Sequence, residues 1–432
     1  MIEREFVADR ARLYGFRHLA LSAFAVVLTA AAFAQNPPDI GRWSSNTAIA
    51  PTQGYGMGNP LTLTWSILRN GTVTGGTGGQ GSTLVQRFDA AFGAGSGGND
   101  LSQRPWFTHL AASFDRWAQV SGLSYVYENN DSGNMSQGNI GSLGVRGDVR
   151  IGGANIDGAG NVLAFNYFPN YGDMVLDMGD MGSYASANNN FRFLRNVVMH
   201  EHGHGIGCDH CEASGSNFLM EPFIDTSFDG PQYHDILLAQ RGYGDKFEKT
   251  NAGAGNDTSA LATSLGNLAN GSNISIGNSA RTKVVAGSAT DFVSIDDQTD
   301  TDFYSFNLAS SGLVSVSLEA LGFTYNVGPQ GGSQVSFNTL TRQNLRLALI
   351  GTDGSTILAQ SDINSFGGNE SVAFNVANAG TYFIRVQGTD NSDAVWDTQF
   401  YALSVNAVPE PATMAVLGLG ALAVIRRRRN KK

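Results

Sequence analysis

Four of the chain's seven histidines, together with both of its cysteines, lie in the segment VVMHEHGHGIGCDHC, Val197–Cys211. His200 and His204 are four residues apart, so on a helix their imidazoles project from the same face. Gly207 can adopt a left-handed conformation that ends the helix and turns His210 back toward that face. Three histidines in this arrangement suit a tetrahedral zinc ion and leave its fourth position for water. The segment therefore predicts a helix, a turn and a metal site of the catalytic type.

Glu201 follows the first predicted ligand and is placed to act as a general base. It would take a proton from the metal-bound water and pass it to the leaving amine of a cleaved peptide. His202 lies two positions from His200 and is expected to point to the opposite side of the helix. Cys208 and Cys211 are three residues apart in a chain predicted to be exported, where either a local disulfide or two unpaired thiols are expected.

Hydrophobic patterning upstream of the histidines alternates between strand-like and helix-like stretches. Alternating or continuous apolar residues predict strands at Pro60–Leu68, Leu123–Glu128 and Asp148–Gly153. Pro105–Gly122 spaces its apolar residues at helical intervals, with proline at its start and glycine just past its end, which predicts a helix. A shorter helical patch is expected at Leu84–Phe92 within a Gly/Ser/Thr-rich loop.

The full pattern HExxHxxGxxH resembles the signature of the metzincin metalloproteases, which also require a methionine turn beneath the metal. Met220, in the segment NFLMEPF, is at a suitable distance, and its context resembles the matrixin branch. His234–Asp245 resembles the closing helix of matrixins, and the resemblance extends over roughly Pro60–Asp245. It implies an α+β metzincin catalytic domain, a twisted mixed sheet plus helices, with zinc endopeptidase activity on protein or peptide substrates.

The same resemblance implies structural calcium. Matrixins bind it through a loop and two nearby carboxylates, and the matching residues are Asp157, Gly158, Gly160, Val162, Asp177 and Asp180. A second site would use Asp148 and Asp173, since oxygen ligands suit this hard cation. The alternative is that the Asp-Gly pairs only make turns. Phe165 and Asn166 stand where a histidine ligand of a second, structural zinc is expected, which puts that ion in doubt.

Other features depart from the metzincin pattern or refine it. No cysteine lies upstream of the predicted catalytic domain, so the cysteine-switch form of latency is not expected. Pro222 replaces the tyrosine ligand of astacins and serralysins. A substrate is expected to extend along the rim strand Leu163–Asn166, with residues 221–231 forming the wall of the main specificity pocket. His234 is predicted to be a surface histidine.

Downstream of about Thr250, strand-like runs recur between turns rich in Gly, Asn, Asp and Ser, which predicts an all-β sandwich. The segments NDTSALATSLGN, DDQTDTDFYSFNL and AGTYFIRVQG resemble the bacterial pre-peptidase C-terminal domain, over about Asn256–Val405. That resemblance implies an accessory role in binding substrate or a surface. Asp300 and Asp302 are candidates for a calcium site or, alternatively, exposed carboxylates of a turn.

Both ends of the chain resemble targeting signals. Basic residues precede the apolar run Leu19–Ala34, which closes on small residues and predicts a secretory signal peptide. At the other end, Pro409-Glu410-Pro411, the apolar stretch Ala412–Ile425 and terminal arginines resemble the PEP-CTERM sorting signal of Gram-negative bacteria. It implies processing by exosortase-type machinery, transient membrane contact through the tail, and delivery to the cell surface or extracellular matrix. A plain membrane anchor is the alternative.

These patterns divide the 432 residues into four predicted parts. They are a signal peptide at 1–34, a metalloprotease domain at 35–249, a β-sandwich at 250–407 and a sorting signal at 408–432. The formal net charge of −10 argues against nucleic acid as a partner. The alternative to a protease is a non-catalytic adhesion or matrix protein on a retained metzincin scaffold, against which the intact Glu201 argues.

Overall fold

The structure is a computed structural model that describes residues 39–45, 47–135, 140–214, 217–393 and 395–408. The predicted signal peptide at 1–34 and all but the first residue of the predicted sorting signal at 408–432 lie outside the described residues. Among the residues that are described, no helix combines the length and the apolar character needed to cross a lipid bilayer.

A mixed sheet forms the framework of the first half. Its strands are β1 (Leu61–Ile67), β2 (Leu123–Tyr127), β3 (Val149–Ala154), β4 (Ala164–Asn166) and β5 (Met174–Asp177). A sixth strand of the first half, β6 (Cys211–Ser214), lies outside this sheet. The sheet has the order β2-β1-β3-β5-β4. Neighbours are parallel except for β4, which pairs antiparallel with β5 at the edge. The three strands predicted upstream of the histidines are confirmed as β1, β2 and β3.

Helices pack against this sheet and carry the histidines. They are α1 (Leu84–Phe92), α2 (Phe107–Val120), α3 (Met181–Tyr184), α4 (Arg192–Ile206), α5 (Tyr233–Tyr243) and α6 (Thr250–Gly253). The apolar side chains of α2 recur every three or four residues, so they lie on one buried face. On that face Leu110 and Trp117 are fully buried, and the indole nitrogen of Trp117 donates to the carbonyl of Met199 on α4 at 3.0 Å. Helix α2 therefore fixes the helix that bears the predicted metal ligands.

The second half is a β-sandwich, as predicted. Its strands are β7 (Thr263–Leu268), β8 (Asn273–Ile276), β9 (Ser294–Ile295), β10 (Thr301–Leu308), β11 (Gly312–Ala320), β12 (Thr324–Pro329), β13 (Val335–Asn338), β14 (Gln343–Ile350), β15 (Ile357–Ser361), β16 (Glu370–Val376), β17 (Gly380–Asn391) and β18 (Gln399–Val408). One sheet has the order β15-β14-β17-β10-β7 and the other β16-β11-β18-β8, with β9 beside β18. Alternation along β11 buries Val314, Val316 and Leu318 between the sheets.

A third, three-stranded sheet joins the two halves, in the order β13-β12-β6. Strand β6 of the first half pairs antiparallel with β12 of the second, from Cys211 opposite Pro329 to Ser214 opposite Asn326. Side chains of the second half, including Tyr325 on β12, belong to the same hydrophobic core as the helices of the first half. The fold is thus an α+β domain followed by an all-β sandwich, and the two share a core.

Candidate metal centre

The three histidines of the predicted zinc site meet at one point. A ring nitrogen from each of His200, His204 and His210 lies within 4.8 Å of the others. The Nε2 atom of His210 is 3.0 Å from that of His200 and 3.1 Å from that of His204. His200 and His204 are one turn apart on α4, and His210 returns to them after the helix ends.

Each of these imidazoles has an acceptor at its other nitrogen. Nδ1 of His200 lies 2.6 Å from the carbonyl oxygen of Leu219, and Nδ1 of His204 lies 2.7 Å from that of Cys208. A carbonyl oxygen can only accept, so Nδ1 must carry the proton and Nε2 is left with a lone pair. Burial lowers the pKa of His200 to about 3 and the pKa of His204 well below its usual value. Both imidazoles are therefore neutral, as metal ligands must be.

Two glycines allow the chain to pass this site. Gly207 ends α4 with φ of 111°, and a β-carbon there would lie 1.5 Å from the carbonyl oxygen of Gly41. The left-handed turn predicted at this residue is therefore present, and a side chain is excluded from it. In the middle of α4, a β-carbon on Gly203 would lie 2.2 Å from the sulfur of Met220. Met220 thus lies directly against the helix that carries two of the histidines.

A buried carboxylate holds the methionine turn in place. Asp235, near the start of α5, accepts the backbone N–H groups of Leu219 at 2.7 Å and Met220 at 3.1 Å. It also accepts the N–H of Gln232 at 2.7 Å and so completes a capping box at the start of α5. Burial raises the pKa of Asp235 to about 6. One side chain therefore fixes both the turn beneath the histidines and the helix that follows it.

Glu201 is buried next to the first histidine, with 7% of its surface exposed. Its carboxylate has no hydrogen-bond partner among the described residues, and burial alone raises its pKa to about 8. A pKa of about 8 keeps this carboxyl protonated near neutral pH, and a cation held by the neighbouring histidines would favour the ionised form that a general base needs.

The two remaining histidines of interest are both buried. His202 points away from the cluster, as expected, and its Nε2 lies 2.7 Å from the hydroxyl of Tyr125. His234 was predicted on the surface, and that prediction is wrong because its exposed fraction is 0%. Its ring stacks on Phe218, and its Nδ1 lies 2.8 Å from the hydroxyl of Tyr325 on β12. The side chains of the second half cover this face of α5.

The cysteines beside the site are unpaired. Cys208 and Cys211 are both fully buried free thiols, so the structure has the second of the two predicted alternatives and no disulfide between them. Burial raises the pKa of both thiols well above the usual range. Cys208 lies where α4 ends and Cys211 begins β6, so both act as small apolar groups in the core.

The residues predicted for the first calcium site are brought together. The carboxylate of Asp177 accepts the N–H groups of Asp157 and Gly158, each at 3.1 Å, and Asp180 accepts that of Gly160 at 2.9 Å. The N–H of Val162 points to Asp157 at 3.4 Å. The second carboxylate oxygen of Asp180 is buried without a partner, and burial followed by the nearby aspartates raises its pKa. An unsatisfied buried oxygen in an acidic loop fits a cation.

The residues predicted for the second calcium site have other roles. Both oxygens of Asp148 accept protein donors, from the backbone of Ala48 and from the backbone and hydroxyl of Thr64. Asp173 accepts the N–H of Arg150 at 3.0 Å. Calcium at Asp148 and Asp173 stays a prediction, and these carboxylates already accept protein donors.

The rim strand contains the position where the sequence has no histidine for a second zinc. Strand β4 has Phe165 and Asn166 in this position, and the amide nitrogen of Asn166 donates to the carbonyl of Tyr167 at 2.7 Å.

A second acidic cluster lies where the two halves meet. Carboxylate oxygens of Glu248, Asp257 and Asp300 lie within 4.8 Å of one another. Asp302 is fully buried rather than exposed in a turn, and accepts the amide nitrogen of Asn256 at 2.9 Å. The amide oxygen of Asn256 is itself buried and unpartnered. Burial raises the pKa of Asp300 to about 8, with neighbouring aspartates adding to the shift.

One residue near the histidines was not anticipated. Gln330, in the turn between β12 and β13, has its amide oxygen 2.6 Å from Nδ1 of His210. A glutamine in a Gly-rich stretch gives no local sign of such a role. A hairpin is indicated by alternating apolar residues on both sides of a Gly-Gly pair, at Tyr325 and Val327 and then at Val335 and Phe337. This pattern predicts the turn but not the contact of the turn with His210.

Family comparisons match three segments of the chain. Residues 93–243 match the matrixin family, residues 300–388 match the bacterial pre-peptidase C-terminal domain, and residues 407–429 match the PEP-CTERM protein-sorting motif. No curated protein matches the chain.

Solved structures similar to this chain include β-rich domains. The pre-peptidase C-terminal domain of a collagenase from Bacillus anthracis is 19% identical, with a TM-score of 0.19, and the match covers 34% of this chain and 96% of that one. A carbohydrate binding module of Cellvibrio mixtus lichenase 5A, in complex with cellotriose, is 15% identical, with a TM-score of 0.17, and the match covers 26% and 73%.

Proposed function

We propose that this chain, which carries a matrixin domain, a bacterial pre-peptidase C-terminal domain and a PEP-CTERM motif, is an exported zinc-dependent endopeptidase. The observation that carries the proposal is the convergence of Nε2 atoms from His200, His204 and His210, with Glu201 next to the first of them on the same helix.

The histidine cluster fits zinc. Tetrahedral zinc with Zn–N distances of about 2.0–2.1 Å needs ligand nitrogens about 3.3 Å apart. The separations of 3.0 and 3.1 Å between Nε2 atoms are close to this value. In His200 and His204 the proton is on Nδ1, where it faces a carbonyl oxygen, so Nε2 carries a lone pair. The Nε2 lone pairs of the three histidines repel one another unless a cation lies between them. His200, His204 and His210 would hold that ion.

The protein's own groups supply the remaining chemistry. When bound, zinc acidifies a water ligand and polarises the carbonyl oxygen of the substrate. Glu201, ionised once a cation is bound beside it, would accept a proton from water as general base and deliver it to the leaving amine. Met220 supports α4 from below at Gly203, which keeps the two helical histidines in place.

An extended peptide is the substrate that the surroundings favour. Strand β4 is at the edge of its sheet, so one side of its backbone is available to pair with a peptide. Residues 221–231 follow the methionine turn and would form the wall of the main specificity pocket. Within that segment Phe223 is 82% exposed, which leaves a large apolar side chain available to contact substrate.

We also infer that calcium stabilises the protein at two acidic sites. The first is the loop 157–162 with Asp177 and Asp180, and the second is the cluster of Glu248, Asp257 and Asp300. In the first, a buried oxygen of Asp180 has no partner, and in the second, three carboxylates lie within 4.8 Å of one another. Calcium prefers several oxygen ligands of this kind.

The targeting of the protein follows from its two ends. We propose that a signal peptide at 1–34 is cleaved and that the segment 408–432 is processed by exosortase-type machinery. Between them lie a protease domain at 35–249 and the sandwich at 250–407. Delivery to the surface or extracellular matrix of a Gram-negative bacterium is supported by the PEP-CTERM match.

Digestion of casein or gelatin by the purified protein tests the main proposal. Wild type is expected to cleave with zinc and calcium present, and a chelator is expected to stop it. Glu201→Gln should lower the rate by about 10²–10⁴-fold because the general base is lost, while zinc binding is retained. Glu212→Gln, which neutralises a carboxylate on β6, is the matched control and should stay within a few fold of wild type.

The same experiment separates the protease from the non-catalytic alternative. A wild-type protein that binds zinc but cleaves neither substrate, in the presence of both ions, would favour an adhesion or matrix protein. Equal activity of wild type and Glu201→Gln would remove Glu201 from the proposed mechanism.

A further inference from the structure

We propose that the β12–β13 hairpin of the second half completes the metal centre, and that Gln330 in its turn is a positioning residue for His210. This inference rests on the zinc site proposed above. It makes the sandwich a part of the catalytic apparatus instead of a separate accessory module.

The hairpin is attached to the chain segment that follows the third histidine. Strand β6 begins at Cys211, one residue after His210, and pairs with β12 over four residue pairs. Gln334 in the same turn accepts the backbone N–H and the hydroxyl of Ser214. The turn of residues 330–334 is therefore held alongside the segment 210–214 at both ends.

His210 differs from the other two histidines in the source of its Nδ1 partner. His200 and His204 have backbone carbonyl oxygens of the first half, from Leu219 and Cys208. The partner of His210 is the amide oxygen of Gln330, at 2.6 Å, from a residue 120 positions later in the chain. The tautomer that leaves Nε2 free for a metal needs an acceptor at Nδ1, and Gln330 supplies it.

Buried packing fixes the hairpin independently of this hydrogen bond. Tyr325 and Val327 on β12 are 5% and 0% exposed, and Phe337 on β13 is 4% exposed. The ring of Tyr325 contacts both Phe218 and His234 of the first half. Gln330 itself is exposed, so its side chain adds little to the core. Removing its amide should therefore release His210 without undocking the hairpin.

Zinc affinity of the full chain tests this separation. Metal-free wild type, Gln330→Ala, Gln330→Glu and Gln334→Ala are titrated with Zn²⁺ against a chromophoric chelator, at fixed calcium. Each is also loaded with Co²⁺, whose visible absorption reports the geometry of its ligands. The melting temperature of each metal-free variant reports on the hairpin.

Gln330→Ala is expected to bind zinc about 10-fold or more weakly, as outer partners of histidine ligands typically contribute, and to change the cobalt spectrum. Its metal-free melting temperature should remain within about a degree of wild type, as for other exposed substitutions. Gln330→Glu keeps an acceptor and should restore the affinity. Gln334→Ala, the matched control, loses contacts with Ser214 only and should bind zinc like wild type.

Any of three results would overturn the inference and leave the proposed function intact. One is a Gln330→Ala protein with wild-type zinc affinity and cobalt spectrum. The second is an equal loss in Gln330→Ala and Gln334→Ala, and the third is no recovery in Gln330→Glu; either would assign the effect to docking of the hairpin. A wild-type protein that binds no zinc would overturn both.

Discussion

Burial makes His234 a residue whose neutral form the fold requires. Its ring lies between Phe218 and Trp396, and burial lowers its pKa from 6.5 to about 3. Because the pKa of the folded state is below that of the unfolded state, the stability from the neutral ring is fully present above pH 6.5. It is lost as the pH falls toward 3.

His234→Asn is expected to flatten this acid dependence. Asparagine keeps an acceptor near the hydroxyl of Tyr325 but loses the ring contacts with Phe218 and Trp396, so the variant should be less stable than wild type at pH 7. Because asparagine does not titrate, this deficit should shrink as the pH falls. His234 contributes at most about 1.4 kcal/mol per pH unit to the change of the wild-type free energy of unfolding between pH 6 and 4. Urea unfolding of both proteins at pH 7, 6 and 5 measures it. A deficit that is the same at all three values would contradict the assignment.

At the scale of the elements, α5 supports the candidate metal centre without contributing one of its three histidines. Its first turn contains Asp235, whose carboxylate accepts three backbone N–H groups from the methionine turn and from Gln232. The helix that follows the methionine turn therefore helps to hold this turn beneath the histidines.

Asp235→Asn tests this support. Both oxygens of Asp235 accept backbone N–H groups, so the amide nitrogen of asparagine must face a donor. At least one buried N–H then has no acceptor, which lowers the stability of the fold by about 1–3 kcal/mol. We expect the free energy of unfolding to fall by this amount, measured by urea denaturation. Asp353→Asn is the control, since this exposed carboxylate also accepts backbone N–H groups but in a turn open to water. Equal losses in the two variants would contradict the structural role given to Asp235.

Local sequence signals predict most elements but not how β6 and the hairpin pair. The strands β1, β2 and β3 and the helices α1 and α2 follow from alternation, helical spacing and flanking Pro and Gly. The strand β6 contains only four residues, and its partner lies more than a hundred residues away in the chain. Pairing over that distance is set by the packing of the two halves, which leaves no local pattern in either segment.

At the scale of the whole molecule, the parts of the site that are close in sequence could be predicted, and the parts that depend on docking of the two halves could not. His200, Glu201, His204 and His210 lie within eleven residues, so helical geometry and one glycine turn bring them together. Gln330 and the buried state of His234 depend on where the sandwich docks, and burial of a polar side chain cannot be inferred from residue type. The acidic residues at the junction show the same dependence, because Glu248 and Asp300 come from different halves.

Calcium removal is expected to loosen this junction. After both metals are stripped, zinc alone and zinc with calcium are added back, and the melting temperature is recorded. Calcium at about 100 times its dissociation constant should add about 2.7 kcal/mol, a rise of a few degrees. Asp300→Asn should reduce the rise, whereas Glu319→Gln, an exposed carboxylate of the sandwich, should not. An unchanged rise in Asp300→Asn would exclude a calcium ion held by this cluster.

The hydrogen bond between His210 and Gln330 spans 120 positions, and this sets an order of events in time. A chain synthesised and exported from its N-terminus presents all three histidines long before the hairpin emerges. If Gln330 orients the last ligand, full affinity for zinc arrives only when the sandwich has folded onto the first half. In such a chain the affinity of the histidine cluster for zinc would rise in two stages, first with the fold of the first half and then with the arrival of one glutamine.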